Sequence, residues 1–137
     1  MAYKFEKLEV WQLSLEYIDR IYSIAEMLPR SEEYNLKSQI TRAATSISLN
    51  IAEGSTSQSD PEQARFLNMA IRSLVETVAC QHVINRRKYM SDPELLRQAY
   101  QASEKLFAKL QAMHAALSTH SIHEPGEEYE LDDPTPF

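Results

Sequence analysis

Glycine is nearly missing from this sequence: Gly54 and Gly126 are the two copies in 137 residues. A chain of turn-linked strands needs a glycine-bearing turn about every ten residues, so the scarcity disfavours an all-β fold. Gly54 and Gly126 also lie too far apart to share a loop, which excludes a glycine-rich phosphate cradle. Proline is sparse as well, and three of its six copies (Pro125, Pro134, Pro136) crowd the far end. The single Cys80 excludes an intramolecular disulfide and a multi-cysteine zinc site. There is no apolar run of about 18 residues and no basic-then-apolar leader, so no membrane partner is expected and the chain reads as cytoplasmic.

What remains is 43% hydrophobic and 25% charged, ordinary values for one globular domain. The formal charge of −6 is unevenly placed. Residues 1–120 hold all 14 basic side chains and 14 of the 20 acidic ones, so that body is neutral. Residues 121–137 hold the other six acids and no base. An acidic average argues against nucleic acid, but here the argument touches only the tail.

Helical periodicity runs through four segments. The first spans about Leu8 to Leu28, with Val10, Tyr17, Ile21, Ile24 and Leu28 on one face, and Pro29 stops it. The second spans about Asn35 to Glu53, carries Leu36, Ile40, Ala44, Ile47 and Ile51, and places Gly54 where a left-handed cap suits glycine. Ser59-Asp60-Pro61-Glu62 and Ser91-Asp92-Pro93-Glu94 read as capping boxes that open the third and fourth helices. Leu67, Ala70, Ile71, Leu74, Val78 and Ile84 mark the buried side of the third; Leu96, Ala99, Ser103, Leu106 and Leu110 mark that of the fourth. Short connections make successive helices antiparallel, giving an all-α up-down-up-down four-helix bundle over 1–120. Residues 121–137 are expected to leave it as an extended or disordered acidic arm.

Catalytic chemistry finds little purchase. A carboxylate-bridged di-iron bundle needs paired Glu-x-x-His motifs, and no histidine here has a glutamate three residues before it. His120 and His123 form the one close histidine pair and sit toward the tail. Cys80 lies among Val78, Ala79 and Val83, the surroundings of a small buried hydrophobe rather than of an activated thiolate. No catalytic residue, metal, cofactor or small-molecule substrate is expected.

Two surface features invite a binding role. Arg42, Ser46, Asn50 and Glu53 form a polar stripe beside the apolar one on the second helix, either a solvated face or a hydrogen-bonded network at a helix or subunit contact. Arg86-Arg87-Lys88 closes the third helix, where cations complement the helix dipole by about 0.3–1 kcal/mol each. The same triplet can hold phosphates, with Arg97 and Lys105 on the next helix extending it. In the tail, six acids with Tyr129, Leu131 and Phe137 could fold back over a basic patch and compete with phosphate.

Several runs resemble one family in order: Phe5-Glu6-Lys7-Leu8-Glu9-Val10-Trp11-Gln12, Gln39-Ile40-Thr41-Arg42-Ala43-Ala44, Asn50-Ile51-Ala52-Glu53-Gly54 and Ser73-Leu74-Val75-Glu76. The chain resembles the four-helix-bundle 23S rRNA intervening-sequence proteins over roughly residues 3–115, and more distantly the accessory protein of diversity-generating retroelements. The resemblance implies a left-handed bundle assembled as a ring-like homopentamer, with no established biochemical activity. Arg72 stands where the family usually has a small glycine, and Ser48-Leu49 where it has proline and serine. Taken together, the expectation is a non-enzymatic homo-oligomeric adaptor that binds RNA or an RNA-protein partner. Arg86, Arg87 and Lys88 would make phosphate contacts, with Arg97 and Lys105 outside them. Arg42, Asn50, Glu53 and Glu76 would hold helix or subunit register. The alternative is a protein-interaction scaffold without nucleic acid.

Overall fold

A computed structural model describes residues 3–117 and 135–137. Four helices form: α1 (Glu9–Glu26), α2 (Leu36–Gly54), α3 (Asp60–Arg86) and α4 (Glu94–Leu117), with no strand among the described residues. On each, buried positions advance by alternating threes and fours, the spacing that keeps one stripe facing inward. On α1 the stripe is Val10, Ser14, Tyr17, Ile21 and Ile24. On α3 it is Leu67, Ala70, Leu74, Thr77, Gln81 and Ile84. Val78, expected inside, is only half-buried, because the alternation brings the polar Thr77 and Gln81 inward instead.

Helix ends follow local chemistry. The Ser59 side chain accepts from the Glu62 amide at 3.3 Å, and Pro61 occupies the first turn, as the capping box requires. At α4 the acceptor is Asp92, not Ser91: its Oδ1 takes the Glu94 amide at 3.0 Å. Pro29 is extended, and α1 has already given way before it through a last tight turn, Met27 N–H to Ile24 O at 3.0 Å. α3 ends in a Schellman motif, with Tyr89 N–H bonding Ile84 O and Lys88 N–H bonding Asn85 O. The residue that turns left-handed there is Lys88, at φ 57°.

Gly54 does not turn left-handed. It stays in α2, and its missing side chain serves packing: a Cβ there would lie 2.9 Å from Phe66 Cβ on α3. Ala43 and Ala44, buried on α2, keep the same seam thin, and Ser73 Oγ donates to Ser46 Oγ across it at 3.0 Å. The α2–α3 pair is accordingly the most extensively packed in the molecule.

α1 packs on α2, α3 on α4, and α1 with α4 closes the bundle. Glu9 pairs with Lys109 at 3.0 Å and Arg20 reaches Gln98 at 3.1 Å, so α1 and α4 run in opposite directions. The pairings 46 with 73 and 54 with 66 require the same of α2 and α3. Ile21, Ile24, Ile40, Ile47, Leu74, Ile84, Leu96 and Leu110 are almost wholly buried. Each contributes about 1.5–3 kcal/mol by leaving water. Exposed pairs such as Lys37–Glu33 contribute at most about 1 kcal/mol, so the core holds the fold.

Candidate functional site

Inside the bundle, three polar side chains from α1 and α3 meet. Tyr17 Oη lies 2.6 Å from Thr77 Oγ1, and Gln81 Nε2 donates to Tyr17 Oη at 2.9 Å. The Thr77 hydroxyl proton goes to Leu74 O at 2.6 Å, so Tyr17 must donate to Thr77 and accept from Gln81. That order also fixes the Gln81 amide, because no proton is left to meet its Oε1, which has no partner among the described residues. Burial drives the Tyr17 pKa upward, partly offset by its bonds to Thr77 and Gln81, so the phenol stays neutral. The cluster is structural: Thr77 and Gln81 are wholly buried in the core, and Tyr17 borders an outer hollow between α1 and α4 without turning its hydroxyl away from them.

Cys80 is buried, and its thiol pKa is raised first by burial and then by the Glu76 carboxylate. A thiol held protonated is a poor nucleophile. Among the described residues, no group of three or more His, Cys, Asp or Glu could hold a metal, and His120 and His123 lie outside those residues.

Three open hollows on the outer surface are lined by the candidate residues. On α2, a hollow of about 490 Å³ is lined by Tyr22, Arg42, Ser46, Leu49, Asn50 and Glu53 among others. Arg42 and Glu53 are exposed there. Asn50 is half-buried and donates to Ser46 O at 2.9 Å and to Ser46 Oγ at 3.0 Å. Within one chain the stripe is therefore a wet face anchored on an inner Asn50–Ser46–Ser73 line. Glu76 is also exposed and lines a second hollow of about 510 Å³ between α2 and α3, with Glu32, Ala79, Cys80, Val83 and Arg87.

The basic residues do not share one face. Arg86 and Lys88 are exposed at the end of α3. Arg87 turns toward the α2–α3 hollow, its guanidinium 5.8 Å from the Tyr89 ring centre, and its pKa is raised by Tyr89 first and by Glu32 to a lesser degree. Arg97 donates from Nε to Phe137 O at 3.0 Å and lies 3.7 Å from Glu94. Lys105 lines a hollow of about 300 Å³ between α1 and α4, with Tyr17, Arg20 and Gln98. Tyr129 and Leu131 lie outside the described residues, whereas Phe137 packs on α3 and α4.

Residues 6–116 match the 23S rRNA-intervening sequence protein family. The chain belongs to that family. A solved structure of a protein of unknown function from the S23 ribosomal protein family of Bacteroides thetaiotaomicron VPI-5482 is similar, with a TM-score of 0.69 and 25% identity. The similarity covers 77% of this chain and 95% of that one. No curated protein matches. Membership agrees with the four-helix architecture and attaches no enzyme name to this intervening-sequence protein.

The inner cluster escaped sequence reasoning because attention to apolar positions passes over polar ones. Its signal was present: Thr77 and Gln81 sit on the same three-and-four alternation as Leu74 and Ile84.

Proposed function

We propose that this intervening-sequence protein is a cytoplasmic, non-enzymatic adaptor that assembles with copies of itself and contacts RNA or an RNA-associated protein. The observation that carries the reading is the outer side of α3. Val75, Ala79 and Val83 recur there at steps of four, all exposed, Val75 at 52% and Val83 at 45%. Single exposed apolar side chains are commonplace, but a stripe along one helix is a surface that a neighbouring helix buries with profit. Glu76 beside it, and Arg42, Asn50 and Glu53 on the adjoining α2 face, supply polar groups that fix register. A ring of five is the size the family resemblance implies. In such a ring Arg86 and Lys88 recur around one rim and add their fields, with Arg87, Arg97 and Lys105 set back from them.

A second reading, a scaffold without nucleic acid, is favoured by the engagement of Arg87 and Arg97 with neighbours inside the chain. Light-scattering mass on a sizing column, with absorbance at 260 and 280 nm, separates the two. A mass near five chains that rises with structured RNA at low salt supports the first reading. Replacing Arg86 and Lys88 with glutamine should then flatten the salt dependence and leave the assembly intact. An assembly that ignores RNA supports the scaffold, and a monomer overturns both.

A further inference from the structure

Beyond the family match, Phe137 packs against the bundle, preceded by a half-buried Thr135 and an exposed Pro136. The Phe137 ring centre lies 5.1 Å from that of His82 on α3 and 5.5 Å from that of Tyr100 on α4. Its plane is tilted 59° to the first and stands at 84° to the second, an edge-on arrangement favoured by the ring quadrupoles. His82 and Tyr100 are themselves 6.5 Å apart at 87°, so the three rings form one cluster contributed by two helices and the segment. One turn from Tyr100, on the same side of α4, Arg97 Nε donates to Phe137 O at 3.0 Å. Pro136 restricts the segment before it docks and lowers the cost of ordering it. An aromatic slot, a cation aimed at the main chain and a stiffened ligand are the parts of a peptide-recognition site.

We infer that the α3–α4 face around His82, Arg97 and Tyr100 is a recognition site for a short proline–aromatic peptide, occupied by the chain's own Thr135–Phe137. Chain length favours that occupant. Tyr100 and Leu117 are about 25 Å apart along α4 at 1.5 Å per residue. The chain between Leu117 and Thr135 spans up to roughly 60 Å when extended, so the segment reaches its own site with slack. A tether of this length holds its end at an effective concentration in about the millimolar range. Even a site of modest intrinsic affinity therefore stays filled, and a foreign proline–aromatic peptide must displace the resident one. This inference is independent of self-assembly and of RNA.

The test uses the full chain, Phe137→Ala and the peptide acetyl-Thr-Pro-Phe, read by the NMR signals of the His82 and Tyr100 rings. Removing Phe137 should shift both sets as its ring current is lost. The peptide should then titrate into Phe137→Ala at about 0.1 mM and reverse the shifts, while binding the unaltered chain about tenfold more weakly. Adding Arg97→Gln to Phe137→Ala should weaken the peptide several-fold with the helical circular dichroism unchanged. Ring signals indifferent to Phe137→Ala, or equal peptide binding by both chains, would overturn the site. Ring signals of the unaltered chain that stay constant over about a hundredfold range of protein concentration support the chain's own segment as occupant. Signals that change with concentration assign the segment to a second copy and overturn that part.

Discussion

The Tyr17–Thr77–Gln81 cluster and the Arg42–Asn50–Glu53 stripe are both polar lines on helices of one bundle, and they differ in what surrounds each hydrogen bond. In the first, every residue is buried to 1% exposure or less, so a lost partner cannot be replaced by water. In the second, Arg42 and Glu53 already face solvent and only Asn50 is half-buried. A buried donor left alone costs about 1–3 kcal/mol, whereas an exposed group exchanges one partner for another at little cost. The difference teaches that the position of a polar residue on the three-and-four alternation, more than its neighbours in a polar run, decides whether it specifies the fold.

Tyr17→Phe should break the contrast most visibly. It strips Gln81 Nε2 of its acceptor and Thr77 Oγ1 of its donor, and urea unfolding should show a loss of about 2 kcal/mol. Gln81→Leu should cost less, since it removes an amide whose Oε1 is already unpartnered. The same cluster predicts an alkaline limit. Because the folded state raises the Tyr17 pKa above 10.0, its contribution is complete below the unfolded value and is lost as pH climbs beyond it. Thermal melts at pH 9 to 11 should fall more steeply for the unaltered chain than for Tyr17→Phe.

Gly54→Ala is the next largest effect. Alanine gains about 1 kcal/mol of helix propensity, but its Cβ meets Phe66 Cβ at 2.9 Å, and overpacking costs about 1–3 kcal/mol. A net loss of about 1 kcal/mol in urea is expected; a gain would mean that Phe66 yields freely. Lys88→Gly should move the other way, by about 0.5–1 kcal/mol, because glycine meets φ 57° without the Cβ penalty. Glu53→Leu should change single-chain stability by less than about 0.5 kcal/mol. If it instead alters the mass of the assembly, the outer stripe holds subunit register, and the comparison sharpens from buried against wet to chain against assembly.

The four helices were legible because each keeps an apolar stripe long enough to survive a polar interruption, and the Ser59 box was legible because serine, proline and glutamate each act locally. Gly54 was visible as a special position, yet nothing local distinguishes a glycine that turns from one that admits Phe66, which lies on another helix. Asp92 outcompeted Ser91 because both precede Pro93 and only geometry chooses between them. The basic residues were legible as a list and not as a surface, since Arg97 and Lys105 are placed by partners distant in sequence, Phe137 and the α1 face, and Arg87 leans on Tyr89, whose hydroxyl in turn reaches the distant Glu32.

The thin seam between α2 and α3 bears on the order in which the molecule opens. Its contacts link residues adjacent through one short connection, so closing it costs little chain entropy. Backbone amides around Ile47, Ile51, Ala70 and Leu74 should exchange with deuterium only when the whole chain unfolds, while α4, joined to its neighbours by less extensive packing, opens earlier. The glycine that admits Phe66 thus bears on which half of the bundle is expected to let go last.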